Sequence, residues 1–319
     1  MLMVNWDIGE RLKNTDFTGK AEEAQKIIDS GELEKAKLFL GKELDKKPKS
    51  TGLLFVMAGL GEELGSPLLA WHYYDRFLAI KHDDVVIYNK ARIEINELDE
   101  FEMGLKTIKL FRDDKELEQR IQELKADALL NLEKFDECEK ICKKIMKEDP
   151  NAFDCIRIYA DCCYDQENFQ KSFDLNEKII ELDSTDTEAQ NNKADLLIKL
   201  GKYDEALKIS NNIISQNSSD EQALATKGEV LIKKSQFDDA IISLQNSVLI
   251  DSTYDDGWIL LAKAQAHQNL IDDALDSLLI ATSLAPELLD ELKDNSFDNI
   301  RNHERFQRLI SKQSETGSS

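Results

Sequence analysis

Residues 187–220 read TEAQNNKADLLIKLGKYDEALKISNNIISQNSSD, and their apolar and small residues fall in two groups. The first holds Ala194, Leu197, Ile198 and Leu200; the second holds Tyr203, Ala206, Leu207, Ile209, Ile213 and Ile214. Spacings of three and four predict two amphipathic helices. Gly201, between them, suits the left-handed residue that stops a helix. Asp204 and Glu205 open the second run, where carboxylates meet unpaired N–H groups and the positive end of the helix dipole. In other stretches Pro48, Pro150 and Pro286 stand where a second helix has to end. The pattern is that of a helical hairpin.

The hairpin recurs. GKYDEALK at 201–208 returns as SQFDDAII at 235–242 and as NLIDDALD at 269–276, a stride of 34 residues. Stepping that stride through Ala206 meets Ala36, Ala70, Gly104, Cys138, Ser172, Ala240 and Ala274. Stepping it through Ala194 meets Ala24, Ala58, Arg92, Ala126, Ala160, Gly228 and Ala262, all small except Arg92. A third series, Leu33, Pro67, Phe101, Phe135, Phe169, Tyr203, Phe237 and Ile271, is large and apolar except at Pro67. The series stay in register without insertion or deletion, which predicts eight units: 17–50, 51–84, 85–118, 119–152, 153–186, 187–220, 221–254 and 255–288. The small residues have a mechanical reason, because the side chain at a helix crossing sets how closely two backbones approach. A stack also needs closed ends. Residues 1–16, with Trp6, Ile8 and Leu12, are expected to cap the first unit. Residues 289–311 are expected to form capping helices whose Phe297, Ile300, Phe306, Leu309 and Ile310 cover the eighth, and 312–319 a disordered tail.

A small residue, a Gly at the turn, Tyr or Phe, an acidic pair, Ala and a late Pro, repeating every 34 residues, resemble the tetratricopeptide repeat. The likeness is weakest in 85–118, where Arg92 replaces a small residue and Gly104 lies inside a helix, and Trp258 alone matches the family's early tryptophan. It implies an all-α, right-handed α-solenoid superhelix of stacked antiparallel helix pairs, whose first helices line a concave groove that holds partner segments. The family's groove positions are the second, fifth, ninth, twelfth and thirteenth of each unit. Here the ninth series runs Gln25, Gly59, Ile93, Asp127, Asp161, Asp195, Glu229 and Lys263, with four acids in succession. Glu123, Asp154, Asp165, Glu188 and Asn191 lie around them, interrupted by Arg120, Arg157, Lys199 and Lys233. An acidic trough would attract a Lys/Arg-rich segment, with Asn191 bonding its backbone; the alternative is a solvated helix face. Apolar anchors on the same face are Phe55, Tyr88 and Ile259. Family members that clamp a partner's C-terminal carboxylate use Lys at fifth positions; this chain has none there, and no carboxylate-clamp chaperone partner is expected.

Composition narrows the partner. The 319 residues are 41% hydrophobic and 33% charged, with a formal net charge of −22. The first fifty residues balance ten acids against ten bases, so the excess acid sits in the middle of the chain. Such a field repels phosphate backbones and anionic membranes and favours cationic partners, although solubility or a salty habitat would select the same composition. The start, MLMVNWDIGERLKNTD, has no apolar core and does not read as a secretory signal, and the run LLFVMAGLG at 53–61 is too short to span a bilayer. Five cysteines, an odd number, are expected to be reduced in a cytoplasmic protein.

Cys138, Cys142, Cys155, Cys162 and Cys163 are the chain's whole complement. A zinc or redox site is one reading. The other is structural, since Cys138 belongs to the small crossing series, Cys142 and Cys163 fall at inward positions, and no CxxC or nearby His accompanies them. No nucleophile elbow, phosphate loop or strand-linked glycine motif is present. The expectation is a non-enzymatic interaction scaffold without cofactor or metal, binding a basic protein segment and neither nucleic acid nor membrane. Its alternatives are a regulatory or positioning subunit of an enzyme encoded elsewhere, and a thiol-switch or metal module on the cysteines.

Overall fold

The structure, a computed structural model, describes residues 19–316, so the expected N-terminal cap lies outside the described residues. Two compact units divide the chain, one ending at Cys162 and the next beginning at Cys163. Among the described residues every regular element is a helix, and none is long and apolar enough to cross a membrane.

The first unit holds four helix pairs: α1 (Lys20–Asp29) with α2 (Leu33–Lys46), α3 (Thr51–Glu63) with α4 (Pro67–Leu78), α5 (Asp84–Asn96) with α6 (Phe101–Ile108), and α7 (Glu118–Asn131) with α8 (Phe135–Glu148). Short turns join the partners, so contacting helices have to run antiparallel. First helices also touch across pairs, α1 on α3 and α5 on α7, as a solenoid requires. The unit boundary falls inside α9 (Phe153–Asp165), which leads through a turn at Glu167 to α10 (Phe169–Leu182). In the second unit α11 (Thr187–Lys199) pairs with α12 (Tyr203–Gln216), α13 (Glu221–Lys233) with α14 (Phe237–Ile250), and α15 (Asp255–His267) with α16 (Ile271–Leu284). There α11 touches α13, and α13 touches α15.

Ala36, Ala70, Ala126, Ala160, Ala194, Ala206, Ala240, Ala262 and Ala274 are all buried, Ala160 exposing 1% and the others nothing. Gly228 shows how tight the fit is: a Cβ there would lie 2.4 Å from Leu244 Cγ. The third pair departs from this scheme. Arg92 turns its guanidinium to the Glu62 and Glu97 carboxylates instead of filling the crossing, and Ile95 packs onto Gly104, where a Cβ would lie 2.3 Å from Ile95 Cγ1. Its second helix, α6, has eight residues against fourteen in α8. The chain beyond α6 is held instead by Asp84, whose carboxylate accepts the backbone N–H groups of Arg112, Asp113 and Asp114.

One backbone feature recurs with the stride and was not read from the sequence at every turn. Gly31, Gly65, Asp99, Glu133, Glu167, Gly201, Ser235 and Asn269 all have positive φ. At Gly201 the bonds Gly201 N to Ile198 O and Lys202 N to Leu197 O form the paired closure typical of a left-handed helix stop, and the same pair recurs around Glu133, Glu167, Ser235 and Asn269.

The second unit closes through two 3-10 segments, Pro286–Lys293 and Asn295–Phe297, and then α17 (Glu304–Thr316). Leu292, Phe297, Ile300, Phe306 and Leu309 are buried against Ile259, Ala262, Ala274 and Leu278. Arg305 adds ion pairs to Asp272 and Asp276. Two expectations change here. The segment before α17 is 3-10 in place of α-helix, beginning at Pro286, whose ring removes a backbone donor. The helix also runs five residues into the expected tail, since ERFQRLISKQSET contains neither Gly nor Pro.

Candidate partner-binding wall

Because α11, α13 and α15 lie side by side, residues on their shared face form one wall of the second unit. Asp195 projects from α11, Glu229 from α13, and Asp256 from the first turn of α15. Tyr164, at the end of α9, donates its hydroxyl to Asp195 Oδ2 at 2.7 Å. Lys199, one turn along α11, stands 3.9 Å from Asp195 Oδ1.

The neighbours' effects on proton affinity show how crowded these charges are. Burial raises the Glu229 carboxyl above its ordinary value; Asp195 raises it further, while Lys199, Lys233 and Lys263 oppose the shift. Asp256 is raised by burial, then by Asp255 and Asp195, again against Lys199. Tyr164 and Tyr254 are both raised by burial and by surrounding carboxylates, Asp195 among them. Lys263, the base at the ninth position of the eighth pair, is engaged by Glu291 at 2.8 Å and Asp294 at 3.6 Å. Lys199 stays 3.9 Å from Asp195, beyond direct hydrogen-bonding distance, and together with Lys233 it opposes the charge of this acidic face.

Asn191 lies one turn before Asp195 on α11 and is 3% exposed. Its Nδ2 donates to Asp220 Oδ1, the oxygen that also caps the Ala223 N–H, while its own Oδ1 is buried without a partner. Among the expected apolar anchors, Ile259 is covered by the closing segment. Phe55 packs edge-on against Tyr74 and Phe77, and Tyr88 packs beside Ala91 and Ile95.

The first unit carries the remaining expected acids. Glu123 on α7 is buried and accepts from Gln119 at 2.8 Å; burial raises its carboxyl, and Asp154 and Asp149 add to the shift. Asp127 accepts from Asn131 Nδ2 at 3.2 Å and is likewise raised by burial. Asp161 is half-buried on α9. Glu123, Asp127 and Asp161 therefore belong to one unit, and Asn191, Asp195 and Glu229 to the other. Asp256 and Tyr164 were not singled out from the sequence, although they hold a second and a twelfth position of their units, where the family's groove residues fall.

All five cysteines are buried thiols. Cys155 Sγ points to the Cys142 carbonyl at 3.6 Å, and Cys162 Sγ to the Phe135 carbonyl at 3.7 Å. The neighbouring Cys142 thiol draws Cys138 below its ordinary value, whereas Cys142 itself is pushed up by Cys138 and Cys155. Among the described residues no group of three or more His, Cys, Asp or Glu is placed to hold a metal ion.

A tetratricopeptide-repeat family model matches residues 175–208, a span of one stride. A tetratricopeptide repeat protein from Parabacteroides merdae ATCC 43184 superposes with a TM-score of 0.62 at 17% identity, over 76% of this chain and 98% of that one. PilW, a widely conserved type IV pilus biogenesis factor, superposes with a TM-score of 0.56 at 12% identity, over 64% and 94%. Pseudomonas aeruginosa pilF gives 0.51 at 16% identity, over 64% and 93%. No curated protein sequence matches the chain.

Proposed function

We propose that this chain, which has the fold of tetratricopeptide-repeat proteins and one repeat matched by their family model, is a non-enzymatic interaction scaffold whose first helices bind a Lys/Arg-rich segment of a partner protein. The observation that carries this reading is the set Asp195, Glu229 and Asp256, three carboxylates on adjacent first helices with Lys199 as their nearby base. An arriving cation relieves repulsion already present, so it gains more here than at an isolated surface acid. Glu123, Asp127 and Asp161 offer a second acidic stretch in the first unit. The same charge disfavours nucleic acid and anionic membrane, and the lack of a fifth-position Lys disfavours a carboxylate-clamp partner. Reduced, buried thiols accord with a cytoplasmic setting.

The test is titration of a Lys/Arg-rich peptide into the whole protein. The double substitution Asp161→Lys with Asp195→Lys is expected to weaken binding roughly tenfold, as reversal of two partly exposed charges allows. Unchanged affinity, with the helical circular-dichroism signal intact, rejects the reading.

A further inference from the structure

The acidic wall of the second unit already contains a cation of its own, and its bond is a weak one. Lys199 approaches Asp195 only to 3.9 Å, outside direct hydrogen-bonding distance, while Asp195 Oδ2 is held by the Tyr164 hydroxyl at 2.7 Å. Asp195 is therefore oriented independently of the lysine. The side chains of Lys199 and Asp195 keep 37% and 26% of their exposure, so both remain within reach of solvent. Lys199 also opposes the upward shifts of the Glu229 and Asp256 carboxyls, so its charge reaches all three acids. By contrast, Lys263 is pinned by two acids of the closing segment. A second, separate feature marks the place as unfinished. Asn191, on the same face of α11 one turn away, is almost wholly buried and keeps an acceptor oxygen with no donor. An orphaned buried acceptor costs free energy until a donor reaches it.

We propose that Lys199 is a displaceable counter-ion: a lysine or arginine side chain of the partner takes its place among Asp195, Glu229 and Asp256, with Asn191 as acceptor for the partner's adjacent N–H. This rests on the reading that the wall binds a basic segment, and it adds how that binding is graded. A resident cation excludes weak or isolated cations, and it yields to a segment that also supplies a main-chain donor. Displacement is inexpensive because the lysine swings from a loose contact into water, where an ammonium is well hydrated.

The experiment measures fluorescence anisotropy of a labelled eight-residue lysine peptide on the full chain. Lys199→Met keeps the length and apolar stem of the side chain and removes its charge. It is expected to tighten binding about two- to fivefold, the range a partly exposed ion pair permits. Lys208→Met, on the exposed surface of α12, changes the net charge equally and is expected to leave affinity unaltered. Asp195→Asn is expected to weaken the peptide and cancel the gain from Lys199→Met. If the peptide binds but Lys199→Met fails to tighten it, or Lys208→Met tightens it as much, the displaceable counter-ion is wrong and the basic-partner reading survives. If the peptide does not bind the unaltered chain even at low salt, both are wrong.

Discussion

At residue scale, the eight hairpin turns ask for a left-handed residue, yet three of them carry Gly. Glu133 and Glu167 adopt positive φ with a Cβ that crowds the following carbonyl, and both are exposed. Glu133→Gly or Glu167→Gly is expected to raise stability by roughly 1 kcal/mol, and Gly201→Ala to lower it by about the same, in urea denaturation. A fall in midpoint for the glycine variants would show that the native turn is unstrained. Glu229 offers a test of a different kind. Its carboxyl titrates above the ordinary 4.5 in the folded chain. As pH rises through the ordinary value the unfolded chain releases its proton first, so stability declines until the folded carboxyl has also ionised. Glu229→Gln is therefore expected to be more stable than the unaltered chain at pH 7, with the advantage vanishing near pH 4. An advantage that is equal at both pH values would assign the effect to packing.

At the scale of the helix pair, the crossings leave little room. Ala206 has no exposed surface where α11 and α12 meet, and Ala206→Leu is expected to cost about 1–3 kcal/mol by overpacking. A melting temperature within one degree of the unaltered chain would mean the pair is free to part. The third pair breaks the scheme a second time at Glu94. One stride away in either direction stand Leu60 and Ala128, both buried, yet Glu94 is itself fully buried. Its Oε1 accepts from Trp71 Nε1 at 2.7 Å, and its Oε2 has no partner. Lys90, 3.6 Å from Glu94, is already paired with Asp75 at 2.6 Å. Replacing a buried polar pair together is often neutral or stabilising, whereas removing one partner strands the other. Glu94→Leu with Trp71→Phe is thus expected to melt higher than Glu94→Leu alone and no lower than the unaltered protein. A double variant that melts below the single one would show that Trp71 contributes packing beyond its hydrogen bond.

At the scale of the whole molecule, charge is the property that reaches furthest. With a formal charge of −22, the chain is expected to attract the proposed basic segment over about one Debye length, roughly 8 Å at physiological ionic strength. Affinity for a lysine-rich peptide is accordingly expected to fall steadily as salt rises from low to physiological levels, measured by anisotropy. Affinity indifferent to salt would remove the electrostatic basis of the proposed binding, leaving apolar contacts as its source.

The amino-acid sequence by itself determined the repeat, the pairing of helices and the small residues between them. A crossing repeated every 34 residues imposes the same volume limit each time, and composition records it directly. It also located the closing residues Phe297, Ile300, Phe306 and Leu309, because the last exposed apolar face has to be covered. Only tertiary structure decided which acids share a surface. Asp195 and Asp256 are 61 positions apart in sequence, and their mutual influence depends on α11, α13 and α15 lying side by side. The left-handed turns at Glu133 and Glu167 and the buried carboxyl of Glu94 were equally hidden. Each is a locally unfavourable choice that the surrounding helices hold in place, and a local pattern carries no record of forces that arise between segments distant in the chain.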